Sequence, residues 1–285
     1  MALIECRELT HVYLKGSPME TEALSRVTLS INAGEFVGII GPTGSGKSTL
    51  IQHFNALLRP TSGIVRVGGI NTADPKADLR TIRRQIGLVF QYPEHQLFEE
   101  TVAEDVAFGP RNLGLDEEDV RQRVDDALRA VGIDPLRFGQ RSPFSLSGGE
   151  MRRIAIAGVL AMMPQVLVLD EPAAGLDPQG KMEILNRIRD LHTSRQLTVI
   201  LITHSMEDAA ELTRRLIVLN KGRVAMDGSV RDVFARAQEL RAMGLGVPAF
   251  TELVQRLRRR GLPMRADAVT QDEAHHAIKE ALAWN

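Results

Sequence analysis

The chain has 285 residues, 44% of them hydrophobic, enough for one large α/β domain and an appendage around a sizeable core. Lys and Arg number 35 against 36 Asp and Glu, a formal charge of -1, which excludes a global electrostatic attraction for nucleic acid or an anionic bilayer. The single cysteine, Cys6, excludes an intrachain disulfide and fits a reducing compartment.

LIECRELTHVY and ALSRVTLSINAG alternate apolar with polar residues and predict an antiparallel β flank, with Cys6 buried in a strand. EFVGII, IGLVF, QVLVLD and TVILIT are nearly continuous apolar runs, the pattern of a mostly parallel sheet covered by helices on both faces. Between about residues 100 and 163 the strand signal gives way to helical text. There DEEDVRQRVDDALRAVG sets Val120, Val124, Leu128 and Val131 on one helix face and crowds acids into the first turn, predicting a helical subdomain inserted into the sheet domain.

The most apolar run, IAIAGVLAMMPQVLVL, is shorter than a membrane span and broken by Pro164 and Gln165, so it reads as a core helix followed by a core strand. No basic, apolar leader precedes Leu3, and any link to a membrane is expected to run through other proteins. LIVLNKGRVAMDG reads as a hairpin. The expected division is residues 1–228, then a helical extension over 229–285. In the extension Val233, Phe234, Leu240 and Met243 fall on helical repeats before a GVP break, a pattern compatible with packing on its own domain. Arg256, Arg258, Arg259 and Arg260 read as a solvated helix face, and the adjacent His275 and His276 point apart on a helix and predict no metal site.

GPTGSGKST, residues 41–49, follows a buried run and precedes a helical pattern, which is the spacing and context of a P-loop. Gly41, Pro42, Thr43, Gly44, Ser45 and Gly46 form the turn that aims backbone N–H groups at phosphate oxygens. Lys47 is expected to reach the β- and γ-phosphates of ATP, Ser48 to hold Mg²⁺, and Thr49 to continue into the helix whose positive end faces the same charge. In VLVLDEP, Asp170 at a strand end suits the Mg²⁺ shell, and Glu171 suits the water that attacks the γ-phosphate. In TVILITHS a strand ends with His204, where an imidazole can hydrogen-bond that phosphate. FSLSGGEMRR places Ser147, Gly148 and Gly149 where a helix begins, a second anion-accepting terminus.

P-loop, glutamine loop, LSGG, LVLDEP, AGLD and a later histidine, in that order over residues 3–227, resemble the nucleotide-binding subunit of an ABC transporter. The resemblance implies an α/β fold with a P-loop NTPase (RecA-like) core. It also implies two cassettes paired head to tail, each LSGG closing over ATP held by the other P-loop. By position, Tyr13 matches the adenine-stacking aromatic and Gln91 the glutamine that senses Mg²⁺ and the attacking water. Residues 174–177 match the loop that communicates between sites, Glu171 the catalytic base and His204 the switch. Glu150 stands where glutamine is commonest in the signature, adding charge at the site's rim, and Ala173 replaces a usual threonine; hydrolysis is expected to survive both.

QYPEHQLFEETVAEDVAFGP and MRRIAIAGVLAM resemble, more narrowly, the second (A-prime) type of ATPase in energy-coupling factor (ECF) importers of vitamins or metal ions. That implies a second ECF ATPase as partner, with a homodimer as the alternative, plus a transmembrane T-component and a substrate-choosing S-component. It places the chain peripherally on the cytoplasmic face of the cell membrane, with a C-terminal extension that helps pair the subunits and no nucleic-acid partner. Glu94, Glu99, Glu100, Glu104 and Asp105 beside Tyr92, Leu97 and Phe98 suit a groove for an arginine-bearing docking helix; a solvated acidic loop is the other reading. The rival functions are a conventional ABC importer or exporter cassette and a soluble ABC ATPase acting on nucleic acid.

Overall fold

The computed structural model describes residues 2–264 and 268–283. The chain opens with the flank, β1 (Ala2–Tyr13) and β2 (Thr21–Asn32), then enters the core through β3 (Phe36–Ile40) and α1 (Lys47–Phe54). It returns to the flank as β4 (Ser62–Val67) and β5 (Ile70–Asn71) before α2 (Leu79–Gln85) and β6 (Ile86–Val89). The helical insert is α3 (Val102–Asn112), α4 (Glu117–Ala130), the single turn α5 (Pro135–Phe138) and α6 (Gly148–Leu160). Next come β7 (Val166–Asp170), α7 (Pro178–Arg195), β8 (Thr198–Ile202), α8 (Met206–Leu212) and the hairpin β9 (Arg215–Asn220) with β10 (Arg223–Ser229). The tail is α9 (Val230–Ala235), α10 (Ala237–Ala242), α11 (Ala249–Arg259) and α12 (Gln271–Ala283).

Two sheets result. The flank pairs antiparallel in the order β2-β1-β4-β5, and the core sheet runs β10-β9-β3-β8-β7-β6 with only β10 antiparallel. The four continuous apolar runs are β3, β6, β7 and β8, every residue of them buried, as strands covered on both faces require. β4, β5 and α2 were not anticipated. SGIVRVGGIN is short and broken by Gly68 and Gly69, both at positive φ, so its period-2 signal lasts too few residues to register.

One core joins the flank, α1 and one face of the core sheet, with Phe54 fully buried at its centre; truncating such a phenylalanine typically costs about 3–5 kcal/mol. A second joins the opposite face to α3, α4, α6 and α7, and takes in Val120, Val124, Leu128 and Val131 as the helical spacing predicts. Asp116 starts α4 by accepting from the N–H groups of Glu118 and Asp119, so the acids of the first turn sit at the helix's positive end. In the tail, Val233, Phe234 and Leu240 share a core with Ile40, Leu216 and Val218, so α9 and α10 pack on their own domain. α11 and α12 instead bury a small cluster of their own around Val254, Ala274 and Ala277.

Cys6 is buried in β1, and burial with Glu5 beside it pushes the thiol up to about 12. His53, fully buried on α1, bonds the Leu58 carbonyl through Nδ1 at 3.1 Å and meets His11 edge-on at 4.8 Å. Burial, with the His11 ring nearby, drives its pKa down to about 4 from the usual 6.5. The folded protein therefore keeps His53 neutral while the unfolded chain binds a proton near pH 6.5. Its contribution to stability is complete above that pH and is lost as pH falls toward 4, amounting to about 2 kcal/mol by pH 5. Urea unfolding at pH 7 and pH 5 checks this: His53→Gln should show a shallower pH dependence than the parent, and identical slopes would exclude His53 as a source.

Candidate active site

The P-loop leaves β3 at Ile40 and turns into α1 at Lys47, at the carboxyl end of a central parallel strand where open α/β sheets bind ligands. Two positions demand glycine. A Cβ on Gly41 would stand 2.3 Å from the Leu219 carbonyl oxygen, and Gly46 combines φ +100 with the Ala23 carbonyl oxygen 2.6 Å from where its Cβ would lie. Lys47 is buried and donates from Nζ to the carbonyls of Gly41 at 2.8 Å and Pro42 at 3.1 Å, which folds the ammonium over the loop. Desolvation lowers its pKa while Glu171 and Asp170 work in the other direction. The hydroxyl of Ser45 is buried in the same loop without a hydrogen-bond partner.

Ser48 Oγ donates to Asp170 Oδ2 at 3.0 Å, joining the start of α1 to the end of β7. Asp170 is buried, and desolvation, opposed by the Ser48 bond, raises its pKa. A hydroxyl beside a partly desolvated carboxylate is a hard oxygen pair of the kind that suits Mg²⁺. Glu171 follows in the left-handed region at φ +52, a rare conformation for glutamate, anchored by its N–H to the Ile202 carbonyl at 3.0 Å. Its carboxylate is held on both sides: His204 Nε2 lies 2.8 Å from Oε1, and Gln91 Nε2 donates to Oε2 at 3.3 Å. The ends of β6, β7 and β8 thus bring Gln91, Glu171 and His204 onto one carboxyl group. Tyr13, at the end of β1, is exposed and lies with its hydroxyl 3.2 Å from Thr49 Oγ1, beside the same loop.

Ser147 caps α6 and forms a full capping box with Glu150, giving and receiving bonds across the terminus. Glu150 was expected as a charge at the rim. Its carboxylate bonds Ser147, whose backbone N–H and hydroxyl hold its pKa down, so the charge stays ionised at the α6 terminus while it orders that terminus. Among the described residues, no hydrogen bond of Ser147, Gly148, Gly149 or Glu150 reaches this chain's own P-loop.

Two of the acids proposed for a docking groove, and one of its apolar residues, have internal tasks. Asp105 is buried and accepts from the backbone N–H groups of Phe98 and Glu99 at 2.9 and 3.0 Å, Leu97 lies in the core, and Glu94 pairs with the buried Arg152. What stays at the surface is an apolar step, Phe98 edge-on to Phe108 at 4.9 Å, with Tyr92, Glu100 and Glu104 also exposed. Arg152 was missed in the sequence. The available signal was a guanidinium among apolar residues in MRRIAIAGVLAM, since a buried arginine needs a partner.

Fold and site together define a nucleotide-binding cassette, and residues 24–174 match the family described as ABC transporter, to which the chain belongs. Within it the chain falls among ECF transporter ATP-binding proteins. It is 56% identical over 275 residues to the Energy-coupling factor transporter ATP-binding protein EcfA2 of Symbiobacterium thermophilum, covering 96% of this chain and 95% of that one. Among solved structures, cbiO1 of Clostridium perfringens, part of the ABC transporter complex cbiONQ, superposes with a TM-score of 0.75 at 37% identity, covering 91% of this chain and 97% of that one. A dimeric ATP-binding cassette in a post-hydrolysis state with ADP and Pi gives 0.71 at 33% identity, covering 80% and 99%. The protein is an ATPase of the ECF transporter type.

Proposed function

We propose that this chain is the second-type ATPase of an ECF importer, working at the cytoplasmic face of the membrane beside a first-type ATPase. A T-component would carry its motion across the membrane and an S-component would select the vitamin or metal ion. Among the described residues no helix is long and apolar enough to cross a membrane, so attachment through partners is the consistent arrangement. The observation that carries the hydrolytic part of the reading is the Glu171 carboxylate held between Gln91 and His204 beside the Ser48–Asp170 pair, and the likeness to ECF ATP-binding proteins supports the rest.

In that site the P-loop N–H groups and Lys47 grip the β- and γ-phosphates of ATP, and Tyr13 stacks on adenine. Ser48 and Asp170 would hold Mg²⁺, with Gln91 at its edge, and the ion supplies neutralisation of phosphate charge. Glu171 accepts the proton of the attacking water, Gln91 orients that water, and His204, which rests on the Glu171 carboxylate, would turn its N–H to the γ-phosphate once ATP is bound. Ser147, Gly148 and Gly149 offer their helix terminus to ATP on the partner cassette, and the tail adds contact area between the two. Hydrolysis then releases the closed pair.

Phe98 and Phe108 with Glu99, Glu100 and Glu104 are the surface on which a basic helix of the T-component would seat, guanidinium against carboxylate and stem against ring. Purification from membranes tests the whole reading: a T-component and a second ATPase should be recovered with the chain, and recovery of nucleic acid in their place would sink it. The combined change Phe98→Ser, Glu100→Lys and Glu104→Lys should lower T-component recovery and uptake at least tenfold with ATP binding intact. Unchanged assembly would show that the contact lies elsewhere.

A further inference from the structure

Arg152 stands on α6, three residues beyond Gly149, and none of the roles above uses it. Its side chain is 3% exposed, and all three guanidinium nitrogens are engaged. Nη2 donates to Glu94 Oε1 at 2.9 Å and Nε to Glu94 Oε2 at 3.2 Å, a bidentate fork. Nη1 donates to the backbone carbonyls of Pro172 at 3.2 Å and Ala174 at 2.5 Å. Burial opposes ionisation of Glu94, and the bonds from Arg152 overcome it, leaving its carboxyl below the ordinary glutamate range.

One side chain therefore ties three segments that meet ATP. Glu94 lies three residues past Gln91. Pro172 and Ala174 belong to the turn that begins at the left-handed Glu171, closed by the Ala174 N–H on the Glu171 carbonyl at 3.1 Å. α6 carries the terminus at Ser147. Stability alone is a poor reason for the arrangement, because a buried ion pair is commonly replaceable by apolar residues of similar volume without loss. Geometry is the better reason: a guanidinium fork fixes the positions of four acceptor atoms at once, which neither lysine nor an apolar side chain can do.

We propose that Arg152, paired with Glu94, is a positioning residue for hydrolysis: it locks the turn that aims Glu171, and the segment that carries Gln91, to the helix whose N-terminus closes over the partner's nucleotide. Formation of the composite site at Ser147 is thereby registered at the chain's own catalytic carboxylate. The second half of this inference rests on the two-cassette reading above; the first half, the aim of Glu171, does not.

The test uses the full chain in the membrane complex with which it purifies, and compares Arg152→Lys with the double variant Arg152→Met, Glu94→Leu, which leaves no buried charge unpaired. Both should bind a fluorescent ATP analogue within threefold of the parent, while kcat falls at least tenfold. ATP-driven pairing, measured on the Glu171→Gln background, should weaken by a similar factor. A kcat within twofold of the parent in the folded double variant overturns the proposal, as does a loss of melting temperature and nucleotide binding together with unchanged kcat per bound nucleotide, which is the signature of a purely structural pair. Should the double variant not fold, Arg152→Lys decides by the same limits. If the Glu171→Gln chain with Arg152 intact does not pair on ATP, the two-cassette reading fails, and the kcat measurement still judges the aim of Glu171.

Discussion

The Glu171→Gln chain will bind ATP as tightly as the parent and turn it over at least 100-fold more slowly. The substitution is nearly isosteric, and an amide can still meet both His204 and Gln91, so the left-handed backbone and the strand ends should stay in place. On the proposed roles phosphate binding rests on the P-loop and Lys47, whose hydrogen bonds to the Gly41 and Pro42 carbonyls do not involve Glu171. What disappears is the carboxylate that lies between Gln91 and His204, the group proposed to take a proton from water. Loss of a general base is worth roughly 10²–10⁴ in rate. Steady-state phosphate release, with equilibrium binding of a fluorescent ATP analogue alongside it, separates the two effects. A kcat within tenfold of the parent would remove Glu171 from the role of base and leave Asp170 as the remaining acid at the strand end.

How legible the protein was depends on where the information lies along the chain. The P-loop was readable because nine consecutive residues carry it, and the buried strands because nearly all of their side chains are apolar. Glu94, Glu99 and Asp105 were not distinguishable as text: all are acids in one segment. Their roles are set by what lies opposite in space, and for Glu94 that is an arginine 58 residues later. Sequence shows a charge but not its partner, so a structural ion pair and a docking acid look alike until the fold brings Arg152 against one of them. β4 and β5 escaped for a different reason, since a flank strand interrupted by two glycines offers too few alternations to stand out.

Gly149→Asp should yield a chain that folds and binds ATP like the parent yet hydrolyses it at least 100-fold more slowly once paired. Within one chain nothing requires glycine here: a Cβ on Gly149 would meet only a Leu176 methyl at 4.0 Å, one on Gly148 would meet nothing within 4 Å, and neither residue has the positive φ that glycine alone tolerates easily. Both lie in the first turn of α6, where an aspartate is favourable by about 0.3–1 kcal/mol through the helix dipole, so the fold should be unharmed or slightly stabilised. Two bare glycines that the chain itself does not require leave room for something outside the chain to approach this terminus closely. A phosphate on a second cassette meets that description, and a carboxylate placed there would repel it. Mixing Gly149→Asp with Lys47→Ala chains sharpens the test where the chain pairs with itself. Head-to-tail pairing leaves one intact composite site whenever both lesions fall on the same side, and turnover should partly return. A Gly149→Asp chain with full activity would mean that the terminus at Ser147 does not meet nucleotide, and that the two-cassette geometry is wrong for this protein.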